Sequence, residues 1–266
     1  MCFDLDSRPP ILPIAGGALD STRLTLTGAD GASFAAFQAR ATTPSGAGIV
    51  VLPDIRGLHH YYEELVLRFA EHGVDAIAID YFGRTAFDEP RDEGFEPMPH
   101  VGQTTWAGLQ SDIAAAVAIL RSADGGAVRS LFATGFCMGG RLAFLTATLE
   151  LDVAGVIGFY GWPTGPARND TPAPADMATA MEGSVLGIFG GADQGIGTSV
   201  IDEFETALTA AGVDHRLITY PGAPHGFFDR KATEFAEASA AAWQEALGFI
   251  QARTVPADRG SPPDGG

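Results

Sequence analysis

The chain has 266 residues, of which 46% are hydrophobic, and 33 acidic against 16 basic residues give a formal net charge of −17. Such an acidic chain repels phosphate groups, which argues against nucleic acid or an anionic membrane surface as a partner. No apolar run reaches the 18 or so residues of a membrane-spanning helix, and the start, MCFDLDSRPP, lacks the features of a signal peptide. We therefore expect a cytoplasmic protein.

Along the chain, strand-like and helix-like segments alternate. The segments RLTLTG and FAAFQAR alternate in polarity and predict an antiparallel hairpin around Asp30 and Gly31. Short apolar runs then predict six strands: GIVVLP, DAIAID, VRSLFATG, VAGVIGFYG, SVLGIFGG and HRLITYPG. Helical spacing predicts helices over 61–73, 105–122, 138–149, 199–212 and 232–251. This alternation predicts an α/β fold with a mostly parallel sheet, helices on both faces and an N-terminal antiparallel hairpin.

The chain is predicted to form one domain with two irregular ends. Residues 1–20 are rich in proline and glycine and predict an extended N-terminal arm. Residues 21–252 form the single α/β domain, since no linker or repeat divides them. Residues 253–266 contain few core-forming side chains and predict a flexible tail. The acidic segment 85–100 is predicted to form a wall or lid of a pocket.

The segment ATGFCMGGRLAF places Cys137 on a glycine-rich turn between a predicted strand and a predicted helix. A nucleophile on such a turn is held in a strained conformation, and small neighbours let the strand and helix pack closely. The helix N-terminus favours a thiolate, and the backbone N–H of Met138 is available to an oxyanion. The alternative is a small buried hydrophobe, which is how most interior cysteines behave.

A cysteine nucleophile needs a base, and the base needs an acid that orients it. Asp193 follows the strand SVLGIFG, and His225 follows the strand HRLITYPG. Since ligands bind at the carboxyl ends of parallel strands, we expect these side chains to meet Cys137. A helix cap for Asp193 and a surface position for His225 are the alternatives. The remaining histidines lack metal-ligand spacing, and no phosphate-binding glycine motif is present, so we expect neither a metal nor a cofactor.

The motifs LPDIRGL, DYFGR, GFCMGGR, GGADQGI and GAPHGFFDR resemble those of the dienelactone hydrolase family of α/β-hydrolases, over about residues 49–249. Most hydrolases of this fold use serine, so a cysteine followed by Asp and then His is specific to this family. The resemblance implies that Cys137 is the nucleophile, His225 the base and Asp193 the orienting acid.

The resemblance also implies four further roles. Asp54 matches a carboxylate that contacts the nucleophile, although the best-known members carry the longer Glu there. The N–H of Ile55 joins that of Met138 in the oxyanion hole. Arg84 matches an arginine that holds a substrate carboxylate, and Arg230 lies one residue beyond the position of a second. The alternatives are an ion pair between Asp54 and Arg56, and ordinary surface positions for the other two arginines.

The expected function is therefore hydrolysis of an ester or lactone through a thioester acyl-enzyme, with a small anionic lactone as the substrate. The alternatives are a general carboxylesterase or thioesterase acting on neutral substrates, and a catalytically silent ligand-binding module that kept the fold. A nucleotide-binding domain is disfavoured because the phosphate loops are missing. We expect a monomer or a small homo-oligomer.

Overall fold

A computed structural model of the protein describes residues 7–86 and 89–256. Its centre is an eight-stranded sheet made of β1 (Ala18–Thr27), β2 (Ser33–Ala41), β3 (Ala47–Leu52), β4 (Val74–Ile79), β5 (Ser130–Phe136), β6 (Val153–Phe159), β7 (Ser184–Gly190) and β8 (His215–Tyr220). The strand order is β1-β2-β4-β3-β5-β6-β7-β8. Strand β2 pairs antiparallel with β1 and β4, and all other neighbours are parallel. The predicted α/β fold, with its N-terminal hairpin, is confirmed.

Helices connect most of the strands. They are α1 (His60–Glu71), α2 (Gly83–Ala86), α3 (Pro97–Val101), α4 (Trp106–Arg121), α5 (Met138–Thr146), α6 (Thr198–Ala211) and α7 (Ala236–Arg253), with a 3₁₀ helix over Pro174–Ala180. Helix α1 packs on β4 and β2, α5 on β5 and β6, and α7 on β6 and β7. None of the helices in the described ranges is long and apolar enough to cross a bilayer.

The core lies on both faces of the central strands. Every residue of β3, β4 and β5 is buried. Successive side chains of a strand point to opposite faces, so both faces of these strands must be covered. Their continuous apolar runs follow from this double burial. Edge strand β8 instead mixes partly exposed and exposed residues, because a strand at the edge has fewer neighbours.

The ends of the predicted elements differ from the observed ones by a few residues. Strand β1 begins at Ala18, inside the arm predicted for 1–20, and α7 begins at Ala236 rather than Ala232. Helix α7 also ends at Arg253, one residue inside the predicted tail. Residues 1–6 of the arm and 257–266 of the tail lie outside the described residues, so these domain boundaries stay predictions.

Candidate active site

Cys137 lies at a sharp turn between β5 and α5. Its backbone has φ 55° and ψ −113°, a left-handed conformation that is costly for a residue with a Cβ. The turn is held on both sides: the Cys137 N–H donates to the carbonyl of Phe159 at 3.0 Å, and its carbonyl accepts from the N–H of Arg141 at 3.2 Å. The strained turn that the glycine-rich motif predicts is present.

The glycines around Cys137 are required by close backbone contacts. A Cβ on Gly135 would lie 2.0 Å from the carbonyl oxygen of Gly139. A Cβ on Gly139 would lie 2.0 Å from the carbonyl oxygen of Leu52, at the end of β3. Real side chains do not tolerate such distances. The small residues therefore let α5 start directly against β5 and β3, which fixes the position of the thiol.

The thiol of Cys137 borders a cavity of about 400 Å³. The residue is 8% exposed and is part of the cavity lining. The lining is mostly apolar and includes Ile55, Met98, Val101, Met138, Leu142 and Trp162. Met98 belongs to the segment 85–100, so that segment forms part of the cavity wall, as predicted.

Asp193 and His225 form a hydrogen-bonded pair at the carboxyl ends of β7 and β8. Nδ1 of His225 lies 2.7 Å from Oδ2 of Asp193, and the other carboxylate oxygen accepts the N–H groups of Gly195 and Ile196 at 2.8 and 3.2 Å. Burial raises the pKa of Asp193, but the hydrogen bonds from His225 and the two N–H groups outweigh burial and hold this pKa below its usual 3.8. The ionised carboxylate only accepts, so Nδ1 of His225 donates to it. This tautomer directs the lone pair of Nε2 away from Asp193, where it can take a proton.

Aromatic rings surround the imidazole of His225. The rings of Tyr160 and Trp162 each lie 4.9 Å from it, centre to centre. Trp162 borders both the Cys137 cavity and a second recess of about 360 Å³, whose walls include Asp193, His225 and Arg230. The thiol and the imidazole therefore belong to adjoining spaces that share one wall.

Ile55 and Met138 carry the N–H groups predicted for the oxyanion hole. Both residues line the cavity of Cys137. Met138 is the first residue of α5, so its N–H has no acceptor within the helix. Ile55 lies in the loop that follows β3. Their role stays a prediction that this placement supports.

Asp54, in the same loop as Ile55, is completely buried. Its Oδ1 accepts the N–H of Arg56 at 2.9 Å, and its own N–H donates to the hydroxyl of Tyr62 at 2.9 Å. Asp54 thus contacts the backbone of Arg56, whose guanidinium donates to the carbonyl of Asp92. The predicted contact between Asp54 and Cys137 stays a prediction.

The two arginines expected to bind a substrate carboxylate occupy different surroundings. Arg84 contacts the carboxylates of Asp30 and Asp112, and these hydrogen bonds raise its pKa. Asp112 is fully buried, and a buried carboxylate is strongly destabilised when a cation that pairs with it is removed. Within the described part of the chain, the lining of the Cys137 cavity does not include Arg84, so the structure does not bring it to the thiol. Arg230 borders the recess of His225, and its substrate role stays a prediction.

Residues 34–254 match the model of the dienelactone hydrolase family. The chain belongs to this family. It is 30% identical to a Salmonella typhimurium protein over 251 residues, 90% of each chain. It is 32% identical to a Synechocystis protein over 213 residues, 76% of this chain and 85% of that one. Both relatives are named "Putative carboxymethylenebutenolidase".

A solved structure shows the same architecture. The crystal structure of a "Putative Dienelactone Hydrolase" from Klebsiella pneumoniae superposes with a TM-score of 0.75 at 25% identity. The match covers 87% of this chain and 99% of that one. Family membership and this fold agree with the resemblance stated from the motifs.

Three residues of this dienelactone hydrolase family member were missed by sequence reasoning. Arg141 lines the cavity, and its guanidinium donates to five backbone carbonyls between Trp162 and Pro172. Its position in GFCMGGR, one helical turn after Cys137, was a usable signal. Trp162 and Tyr160 follow β6, as Asp193 and His225 follow their strands, and the same rule would have found them. No group of three or more potential metal ligands occurs within residues 7–86 and 89–256.

Proposed function

We propose that this protein hydrolyses carboxylic esters or lactones with Cys137 as nucleophile, His225 as base and Asp193 as the acid that orients the base. The observation that carries the proposal is the 2.7 Å contact between His225 and Asp193, in a recess that shares Trp162 with the cavity of Cys137. Family membership supports an ester or lactone hydrolase. The cytoplasmic location and a monomeric or small homo-oligomeric state, both expected from the sequence, belong to the same proposal.

In the first half of the reaction, His225 takes the thiol proton and the sulfur of Cys137 attacks the carbonyl carbon. The charge that develops on the carbonyl oxygen is stabilised by the N–H groups of Ile55 and Met138, at about 3 kcal/mol for each such donor. The carbon–oxygen bond then breaks, and the leaving alkoxide receives the proton from His225. The product is a thioester on Cys137.

In the second half, His225 removes a proton from water, and the hydroxide attacks the thioester. The carbon–sulfur bond breaks, the acid leaves, and the sulfur of Cys137 receives the proton from His225, so both residues return to their starting states. When the substrate is a lactone, the leaving alcohol stays tethered to the acyl group and can re-close the ring. Delivery of water must therefore compete with ring closure.

Two substrate classes are consistent with the site. A small anionic lactone agrees with the names of the curated relatives, and Arg230 beside His225 supplies a cation for it. The second candidate is a neutral ester, because the cavity of Cys137 is lined mainly by apolar side chains and Arg84 is engaged by two carboxylates. Comparing kcat/KM for an anionic lactone and a neutral ester of equal size distinguishes them.

The Cys137→Ala variant tests the proposal. We expect loss of hydrolysis of an activated ester such as p-nitrophenyl acetate, with an unchanged melting temperature. Undiminished turnover by this variant would contradict the assignment. A catalytically silent binding module predicts in addition that Cys137 reacts with iodoacetamide no faster than free cysteine, whereas a nucleophile with His225 as its base reacts faster.

A further inference from the structure

A buried tyrosine, Tyr160, packs against the imidazole of His225. Tyr160 follows β6 directly, and its side chain is fully buried. Its ring lies 4.9 Å from the ring of His225, and its hydroxyl donates to Oδ2 of Asp229 at 2.9 Å. Asp229 lies four residues after His225 in the same loop. The tyrosine therefore links the imidazole to a second buried carboxyl group.

The backbone of Tyr160 is strained. Its φ is 39°, in a region that a bulky residue rarely adopts. The strain persists because the surroundings hold the residue: its N–H donates to the carbonyl of Ile188 in β7 at 2.7 Å, while its hydroxyl is held by Asp229. Residues kept in such conformations are concentrated at functional sites. The strained residue Tyr160 lies against the imidazole of His225, so its strain is consistent with a functional role.

Asp229 is a buried acid with several ionisable neighbours. Its Oδ1 accepts the N–H of Arg230. Burial is the main reason that its pKa rises to about 8, and the charge of Asp54 adds to this rise, while the hydrogen bond from Tyr160 and the charge of His225 oppose it. Tyr61 of α1 is a further neighbour: burial raises the pKa of its hydroxyl, and the charge of Asp229 adds to this rise. At neutral pH the carboxyl is therefore mostly uncharged.

We propose that Tyr160 and Asp229 are positioning residues for His225. The carboxyl of Asp229 holds the hydroxyl of Tyr160, and the ring of Tyr160 then sets the orientation of the imidazole. The imidazole is thereby held with Nδ1 towards Asp193. The inference rests on the proposed function, because the orientation of His225 matters for turnover only if it acts as the base.

The experiment measures kcat and KM for p-nitrophenyl acetate from pH 6.5 to pH 9.5 in three variants. Tyr160→Phe keeps the ring but removes the hydroxyl, so we expect kcat to fall about tenfold with little change in KM, since small misplacements of a catalytic group are costly. The control Tyr220→Phe removes a hydroxyl from a tyrosine at the end of the neighbouring strand β8, which packs on Phe227. We expect this control to behave as wild type.

Asp229→Asn supplies the readout that a merely structural role would not change. Asparagine resembles the uncharged acid, so the ratio of variant to wild-type kcat/KM should be near 1 at pH 6.5. Above pH 8 wild-type Asp229 ionises and makes the imidazole more basic, whereas the variant stays neutral. The ratio should therefore fall several-fold by pH 9.5.

The outcomes separate the two proposals. A ratio for Asp229→Asn that is constant or rises with pH, together with a Tyr160→Phe variant as active as Tyr220→Phe, overturns the positioning role. If Cys137→Ala is inactive in the same assay, the proposed hydrolase mechanism nevertheless stands. If Cys137→Ala is fully active, the proposed mechanism fails, and the positioning role of Tyr160 and Asp229 fails with it.

Discussion

The buried carboxyl of Asp229 makes the stability of the protein depend on pH in a direction that can be calculated. Its pKa is about 8 in the folded protein, whereas an aspartate in an unfolded chain has its ordinary pKa of 3.8. The unfolded chain therefore releases this proton above about pH 4, while the folded chain keeps it until about pH 8. Since the folded pKa is the higher one, the contribution to stability is complete below pH 4 and is lost as the pH rises towards 8.

The magnitude follows from the same pKa difference. One pKa unit corresponds to about 1.36 kcal/mol, so the difference of about 4 units corresponds to about 6 kcal/mol between pH 4 and pH 8. About 4 kcal/mol of this falls between pH 5 and pH 8. The Asp229→Asn variant cannot ionise. Its free energy of unfolding relative to wild type should therefore rise by about 4 kcal/mol across that interval.

Urea unfolding at pH 5, 6, 7 and 8 and constant ionic strength measures this difference. Asp30→Asn is the matched control, because Asp30 is exposed and its hydrogen bonds to Arg84 and Ala32 lower its pKa. Asp30 is thus ionised in both states throughout the interval, and its variant should differ from wild type by a constant amount. A constant difference for Asp229→Asn as well would refute the reasoning, because it would mean that Asp229 titrates alike in the folded and unfolded chains.

Three further variants test a close backbone contact, a buried ion pair and the cavity wall. Gly139→Ala places a methyl group 2.0 Å from the carbonyl of Leu52, so we expect a lower melting temperature and loss of esterase activity. Arg84→Gln leaves the buried carboxyl of Asp112 without its cation, and urea unfolding should show a loss of about 3 kcal/mol, with no selective rise in KM for an anionic lactone. Arg141→Lys cannot bind five carbonyls, so KM should rise several-fold while kcat changes less.

Each of these variants has an outcome that contradicts its rationale. Gly248→Ala is the control for Gly139→Ala, since a Cβ at Gly248 meets no atom within 4 Å. If both substitutions lower the melting temperature and the activity equally, the collision with Leu52 is not the cause. A KM for the anionic lactone that rises in Arg84→Gln, with an unchanged KM for a neutral ester, would instead support the substrate role that the motif resemblance implies for Arg84. Unchanged kinetics in Arg141→Lys would show that the cavity wall does not depend on its guanidinium.

The sequence alone determined the elements of the fold and the positions where chemistry was to be sought. The apolar runs of β3, β4 and β5 predicted buried strands because a strand covered on both faces has no polar side. The segment GFCMGG predicted a tight turn because small residues let a strand and the following helix pack closely, and the contacts of Gly135 and Gly139 agree with this. Asp193 and His225 were found because parallel strands end at the same edge of the sheet. These signals are local, so one sequence was sufficient to read them.

The tertiary structure decided which side chains meet across long stretches of chain. Arg84 binds Asp112, 28 residues away, and no motif in the sequence indicates this partner. The hydroxyl of Tyr160 binds Asp229, 69 residues away, and no spacing in the sequence indicates that contact. The physical reason is that a charged or polar side chain is satisfied by whichever partner the folded chain brings within hydrogen-bonding distance. That partner depends on the packing of several elements together, whereas a strand or a turn depends on its own residues.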